Sequence, residues 1–522
     1  MPMARFFNTT GPCAPDKHYM LGPEERIPDL LPYVEREQYF VVHSARQTGK
    51  TTAMRAFAER LRTLGHVAVW ATLETSQGFE SVEGAEPLWI GALQDAARFS
   101  LPELLRPDPA AEITPGRGLQ DFLQRWAEKV GDRRLVLLLD EADVVSGPAL
   151  VSLLRQLRGG FMDRGPGRFP TSIALIGMRD LRDYLSHAKD GASVSPGSPF
   201  NIKSASLTLR NFTQEEVAAL YTQHTEDTGQ RFAPEAIARS FWWTQGQPFL
   251  VNALADLAVQ ATIVGSSEAI QEGAIDEAKE RLIQARTTHL HSLEEHLREP
   301  RVARIVQPML LGDTPFSIPY SHDDFEYVVD MGLITRGTSG AEPANPLYRE
   351  VMVRQMTYDL QAAVEQPWWR WQTPEGRLDF PALVDAFLQW WRENEQSITA
   401  HGNKQYPEAL PHLAFMAFLQ RVVNGGGQVM REYAAGRKAV DIVVTYKDER
   451  FVVELKRVFT GGKSADKVRA EGSVQLAGYL DTLDEDEGWL IIFDQRPGRS
   501  WTQRLWRDEQ RVEGRRLLLC GA

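Results

Sequence analysis

Between about residue 35 and residue 210, short apolar runs alternate with amphipathic stretches along the chain. The runs are "QYFVVHS", "HVAVWATLE", "RRLVLLLDE", "TSIALIG" and "SASLTL". That alternation predicts a parallel sheet flanked by helices. "LPELLRPDPAAEITPGRG" (101–118), rich in Pro and Gly, reads as a loop insertion, and "SHAKDGASVSPGSPF" (186–200) reads as a flexible segment. From 213 to about 285 the apolar spacing turns to three and four residues, which predicts helices. Residues 286 to 362 mix helices with short strands around "DDFEYVVDMGLITRG". "EQPWWRWQTPEGR" (365–377) is too rich in Pro and Trp for a regular element and marks a boundary. Beyond it come helices at about 380–398 and 409–423, then strands. The domain boundaries expected from this pattern are 1–210, 211–285, 286–362, a linker with a helix at 363–399, and 400–522.

Composition changes this picture little. A chain of 522 residues is too long for one core. Its 43% hydrophobic and 25% charged residues are ordinary globular values, and a net charge of −12 argues against coating nucleic acid by bulk electrostatics while leaving room for a local basic groove. Two cysteines, Cys13 and Cys520, exclude a disulfide framework and a Cys-based zinc site. No run approaches 18 apolar residues and the start "MPMARFFNTTGPCAP" lacks a signal peptide's apolar stretch. The expected compartment is the cytoplasm, with no membrane partner.

The stretch "HSARQTGKTT" stands between the apolar strand Tyr39–Val42 and a helix-like segment. A Gly-containing loop in that position points backbone N–H groups at an anion, and the helix dipole favours negative charge there. Ser44, Ala45, Arg46, Gln47, Thr48, Gly49, Lys50, Thr51 and Thr52 are therefore candidate nucleotide-binding residues, with Lys50 reaching the β- and γ-phosphates and Thr51 ligating Mg²⁺. Ser44 occupies the position where the Walker A pattern has Gly, which predicts a slightly different loop. "LVLLLDE" then ends an apolar strand in two acids, Asp140 for the Mg²⁺ shell and Glu141 to orient or activate water.

The segments "FNTTGP", "HSARQTGKTT", "LLLDEAD", "TQGQPFLV" and "NPLYREV" resemble the AAA-like ATPases of bacteria known as STAND-type or archaeal-type, over about residues 5 to 360. The resemblance implies ATP as cofactor, and a γ-phosphate sensor after the strand "TSIALIG", for which Arg179 is the candidate. It also implies a Gly-x-Pro element near the nucleotide, with Pro248, and a winged helix formed by "DDFEYVVDMGLITRG" and "ANPLYREVMVRQM".

A second constellation lies in "GRKAVDIVVTYKDERFVVELKRV". Strand alternation puts Glu454 and Lys456 on one face. If "AVDIVVTY" and "RFVVELK" pair as a hairpin, Asp441 lies beside Glu454. Neighbouring carboxylates repel unless a cation sits between them, and a hard divalent ion takes their oxygens readily. Lys456 would then position a water or stabilise charge developing on a phosphate. This is metal-assisted phosphodiester chemistry; a structural ion pair in a hairpin is the plainer alternative.

The stretch from about 400 to 495 resembles the PD-(D/E)XK nuclease superfamily, with Asp441 as its acid and Glu454-Leu455-Lys456 as its E-x-K element. The resemblance implies Mg²⁺ or Mn²⁺ held by Asp441 and Glu454, a role for Gln475 (followed by Tyr479) on the next helix, and nucleic acid as substrate, DNA in the first place. Many members place a further Glu in the first core helix. Residues 411–423 contain no acid, leaving Glu408 or Glu432. Arg431, Arg437, Lys438, Arg457, Lys463, Lys467 and Arg469 surround the site in sequence.

The expected fold class is α/β: a P-loop NTPase parallel sheet with a helical subdomain and winged helix, followed by an α/β restriction-endonuclease-like domain. The expected function is an ATPase whose nucleotide state controls a metal-dependent nuclease. The alternatives are a regulatory switch or scaffold with an inactive nuclease-like domain, and more distantly a winged-helix DNA-binding regulator. Homo-oligomerisation is left open.

Overall fold

The computed structural model describes residues 5–109, 113–178, 203–261, 269–285, 288–311, 323–337, 340–362, 371, 373–401, 410–423, 427–435 and 438–522. The chain divides into two compact units. One comprises Met1–Leu293, Pro319–Arg336 and Glu342–Leu347; the other comprises Glu294–Ile318, Gly337–Ala341 and Tyr348–Ala522.

The first unit is built on strands β1 (Tyr39–His43), β2 (Val67–Thr72), β3 (Leu135–Asp140), β4 (Ser172–Gly177) and β5 (Lys203–Thr208). They form a five-stranded sheet in the order β2-β3-β4-β1-β5, every pairing parallel. The apolar runs lack alternation because both faces are covered. Tyr39 and Val41 enter the core under the helices Val82–Ser100, Gly118–Val130 and Gly147–Phe161, while Phe40 and Val42 enter the core under the helix Lys50–Thr63. That last helix supplies Met54, Phe57, Ala58 and Leu61, a stripe at helical spacing. Buried Glu86 ties down the connection at 101–118, accepting the Gly116 N–H at 2.7 Å and the Leu119 N–H at 2.8 Å where the next helix begins.

Four helices follow: Gln214–Thr228, Pro234–Thr244, Pro248–Ala261 and Glu272–Gln284. The first opens with a capping box between Thr213 and Glu216. At the turn into the third, Gly246 has φ +71°, and a Cβ there would lie 1.9 Å from the Phe212 carbonyl oxygen. Both the left-handed backbone and the contact demand glycine. The Gly246→Ala protein is expected to lose about 2–4 kcal/mol of unfolding free energy. Denaturant unfolding identical to the parent would show that the turn relaxes freely.

Farther on lie the helices Thr288–Leu297, Pro300–Leu311 and Asp323–Asp330, two short strands β6 (Ile334–Gly337) and β7 (Gly340–Pro343), and the helix Pro346–Ala362.

The second unit carries a mixed sheet. Its strands are β8 (Gly427–Ala435), β9 (Lys438–Tyr446), β10 (Glu449–Val458), β11 (Glu487–Asp494), β12 (Trp506–Val512) and β13 (Arg515–Gly521), in the order β12-β13-β11-β10-β9-β8. β10–β11 and β11–β13 are parallel and the other pairs antiparallel. The helix Ala465–Leu483 covers one face through Val468, Leu476, Tyr479 and Leu480. The helices Phe380–His401 and Leu410–Val423 cover the other through Phe387, Trp390, Trp391, Phe415 and Phe418. The helix set apart with a linker at 363–399 thus shares this core, as does Trp371, because its apolar stripe buries against this sheet face. The strands β12 and β13, not expected from the sequence, extend the sheet beyond β11. Among the described residues no helix is long and apolar enough to cross a membrane.

Candidate functional site

In the first unit the chain leaves β1, which runs between β4 and the edge strand β5, turns through residues 44–49 and enters the helix at Lys50. The turn takes left-handed φ at Gln47 (+57°) and Gly49 (+92°), not at Ser44. Ser in place of Gly is therefore tolerated, and its hydroxyl donates to Leu209 O at 3.0 Å. Thr48 Oγ1 closes the turn by donating to Ala45 O at 2.9 Å.

The Lys50 ammonium lies inside this loop, donating to Ser44 O at 2.7 Å and Ala45 O at 2.8 Å. Burial pushes its pKa down, opposed by Asp143, Glu141 and Asp140. Thr51 Oγ1 donates to Asp140 Oδ2 at 2.7 Å, so the first turn of the helix and the end of β3 meet. Glu141 follows in a left-handed conformation, φ +54°, with its amide on Asp140 Oδ1 at 3.0 Å. Burial raises the Glu141 pKa, helped by the charges of Asp143 and Asp140. Thr52 Oγ1 accepts the Cys13 N–H at 3.1 Å, tying the N-terminal segment to this helix. Arg179 lies outside the described residues; its neighbour Met178 donates its N–H to Asp143 Oδ2 at 2.9 Å.

Other elements grip the loop from outside. Gln247 Nε2 approaches Arg46 O and Gln47 O at 3.4 Å each, while Pro248, the expected contact, starts the next helix. Arg46 Nη1 donates to Ser292 Oγ at 3.1 Å. A Cβ on Gly332 would come within 2.3 Å of Ala45 Cβ, so the turn before β6 packs directly on the loop. Arg26 Nη1 donates to Thr48 O at 2.8 Å. Trp70 Nε1 donates at 3.1 Å to the same Asp140 oxygen that Thr51 uses. Sequence reading missed Arg26, Gln247 and Trp70. Gln247 sits inside the quoted "TQGQPFLV" and Trp70 is the one polar-tipped side chain among the apolar residues of "VAVWA", but neither position announces its partner.

In the second unit, β9 and β10 pair with Ile442 opposite Val453, so Asp441 falls opposite Glu454. The Asp441 carboxylate also reaches the backbone, with Oδ2 accepting the Leu455 N–H at 2.8 Å. Glu454 is fully buried; its Oε1 accepts from Lys456 Nζ at 2.6 Å, while Oε2 has no hydrogen-bond partner among the described residues. Burial and the Asp441 charge push the Glu454 pKa up to about 7, against the pull of Lys456. Burial lowers the Lys456 pKa, but Glu454 and Asp441 outweigh it and leave it raised. Lys456 Nζ donates also to Gln475 Oε1 at 3.0 Å, and Gln475 Nε2 donates to Tyr479 OH at 2.7 Å. Gly472 permits this close approach, since a Cβ there would meet Lys456 Cγ at 3.2 Å and Leu490 Cδ1 at 3.0 Å.

Two carboxylates are thus brought together. Among the described residues no group of three His, Cys, Asp or Glu side chains gathers to hold a metal. Glu408 lies outside the described residues. Glu432 lies in β8 between Arg431, paired with Ile442, and Tyr433, paired with Val440. Of the basic residues, Lys463 is bound to Glu471 at 2.6 Å and Arg469 to Asp508. Arg437 lies outside the described residues.

Residues 34–185 match the family model of the AAA domain, making this segment an AAA-type P-loop domain. An uncharacterized WD repeat-containing protein of Synechocystis is 24% identical over 364 residues, covering 64% of this chain and 29% of that protein. This chain therefore spans under a third of that relative's length. Among solved structures, a Walker-type ATPase of Pyrococcus abyssi aligns with TM-score 0.47 and 16% identity over 66% of this chain and 99% of that one. The RuvB Holliday junction branch migration motor of Thermotoga maritima aligns with TM-score 0.33 and 15% identity, over 62% and 90%. Domain III of the replication initiation protein DnaA of the same organism aligns with TM-score 0.30 and 13% identity, over 48% and 88%.

Proposed function

We propose that the chain binds and hydrolyses ATP in its first unit and that its nucleotide state controls a metal-dependent nuclease in the second. The AAA-type domain, the Lys50 ammonium held by the loop and the Thr51–Asp140 hydrogen bond support the first half. Thr51 Oγ1 and Asp140 fit the Mg²⁺ that accompanies a nucleotide, and that ion supplies charge neutralisation on the phosphate oxygens. Lys50 exchanges its loop carbonyls for phosphate oxygens. Glu141, held above the usual carboxylate range beside Asp140, orients the attacking water. The Glu141→Gln protein is expected to bind ATP like the parent while turnover falls about 10²–10⁴-fold, the range of a lost general base. Undiminished turnover in a steady-state phosphate-release assay would remove Glu141 from that role.

The second half is carried by one observation: the orphaned Oε2 of buried Glu454 beside the Asp441 carboxylate. A buried carboxylate oxygen without a donor asks for a cation. Asp441 and Glu454 fit Mg²⁺ or Mn²⁺, which supplies polarisation of the scissile phosphate when bound. Lys456, oriented by Gln475, would stabilise charge on the phosphate oxygens or position water. DNA is the favoured substrate.

The direct Lys456–Glu454 bond and the gathering of no more than two carboxylates among the described residues favour one other reading: a switch whose second unit binds nucleic acid or a partner without cutting it. A panel of single- and double-stranded DNA and RNA, incubated with Mg²⁺ or Mn²⁺ and with or without ATP, separates the two. Cleavage abolished by EDTA and altered by ATP is expected. Intact substrates throughout would leave the switch.

A further inference from the structure

A guanidinium withdrawn from water ordinarily comes with a carboxylate, because a buried charge facing only neutral groups is costly. Arg26, at the end of the turn Pro23–Arg26, is only 5% exposed. Among the described residues its hydrogen bonds go to two carbonyl oxygens, Thr48 O at 2.8 Å and Arg210 O at 3.1 Å, and its buried Nε has no partner. Glu216 acts on Arg26 by its charge without a hydrogen bond to it, since its carboxylate is held by both terminal nitrogens of Arg210 at 2.7 Å. The Arg26 guanidinium also lies 4.7 Å from the Phe212 ring centroid, and its Nη2 would stand 2.7 Å from a Cβ on Gly49. It is thus pressed against the last two residues before Lys50.

We propose that Arg26 is a second cation of the phosphate site, a positioning residue that holds Thr48 and Gly49 and whose incompletely balanced charge is matched by the nucleotide's polyphosphate. The proposal rests on the nucleotide-binding reading above. The charge acts through the loop, in a medium that screens it far less than water does, so its effect grows with the number of phosphates.

The test pairs ligand affinity with stability in the full chain. Arg26→Met keeps an unbranched apolar stem against Phe212 and removes the charge. Its affinity for Mg²⁺-ATP is expected to fall about tenfold or more, with a smaller loss for ADP, a smaller one for AMP and none for adenosine. Its nucleotide-free unfolding midpoint is expected to change little, because removing the buried charge offsets the loss of its bonds to Thr48 O and Arg210 O. Arg26→Lys is expected to recover most of the ATP affinity. An equal loss for adenosine and ATP, or a lowered unfolding midpoint with no recovery in Arg26→Lys, would make Arg26 a structural tie and overturn the proposal. A parent protein that binds no nucleotide would sink the nucleotide reading itself and this proposal with it.

Discussion

The Lys50→Ala protein is expected to lose ATP affinity by at least about 100-fold, which corresponds to about 2.7 kcal/mol. The ammonium is the cation that the loop encloses, poised on Ser44 O and Ala45 O at 2.7 and 2.8 Å. Those two neutral acceptors are weaker partners than phosphate oxygens, so the exchange on binding is favourable. Nothing in the variant replaces that gain. Its fold is expected to persist, because Lys50 spends its charge on carbonyls of the loop and contributes little to the cores on either side of the sheet. Calorimetric titration with ATP reads the loss, and an unfolding curve reads the fold. Affinity within threefold of the parent would place the phosphates elsewhere.

The Asp441→Asn and Lys456→Met proteins are each expected to lose cleavage by about 10³-fold or more, as when a metal ligand or a transition-state cation is removed. These substitutions are chosen from the geometry. Asp441 Oδ2 accepts the Leu455 N–H, so Ala at 441 would orphan a backbone donor at a cost of about 1–3 kcal/mol and confound chemistry with folding. Asn retains an acceptor there and removes only the charge. Met retains the methylenes that pack toward Gly472 and deletes the ammonium. Cleavage rates measured beside near-unchanged denaturant unfolding would assign the loss to the site. Cleavage at the parent rate in both variants would reduce Glu454 and Lys456 to a structural pair.

How far the two candidate sites can be read from the chain follows from the range of the interactions that build them. The loop between β1 and its helix is a local object. Its turn, its lysine and the hydroxyl that follows lie within nine residues, and the dipole of the helix they open acts there regardless of the rest of the fold. Alternation along β10 likewise put Glu454 and Lys456 on one face, and the hairpin with β9 placed Asp441 opposite Glu454, because pleat and register are properties of neighbouring strands. The consequence of Ser44 was not legible: whether a small polar residue disturbs the turn depends on its φ and on Leu209 O, brought alongside from 165 residues away.

The amino-acid sequence by itself determined the strand–loop–helix that holds Lys50 and Thr51, the acidic end of β3, and the charged face of β10. Each is written in spacings of a few residues. Only the tertiary structure decided that β1 runs between β4 and β5, that Arg26 and Gln247 hold the loop, that Trp70 shares Asp140 with Thr51, and that β12 and β13 complete the second sheet. Periodicity says which face of an element is buried. It does not say which face of which other element covers it, and a lone Arg, Trp or Gln carries no mark of a partner some 20 to 200 residues away.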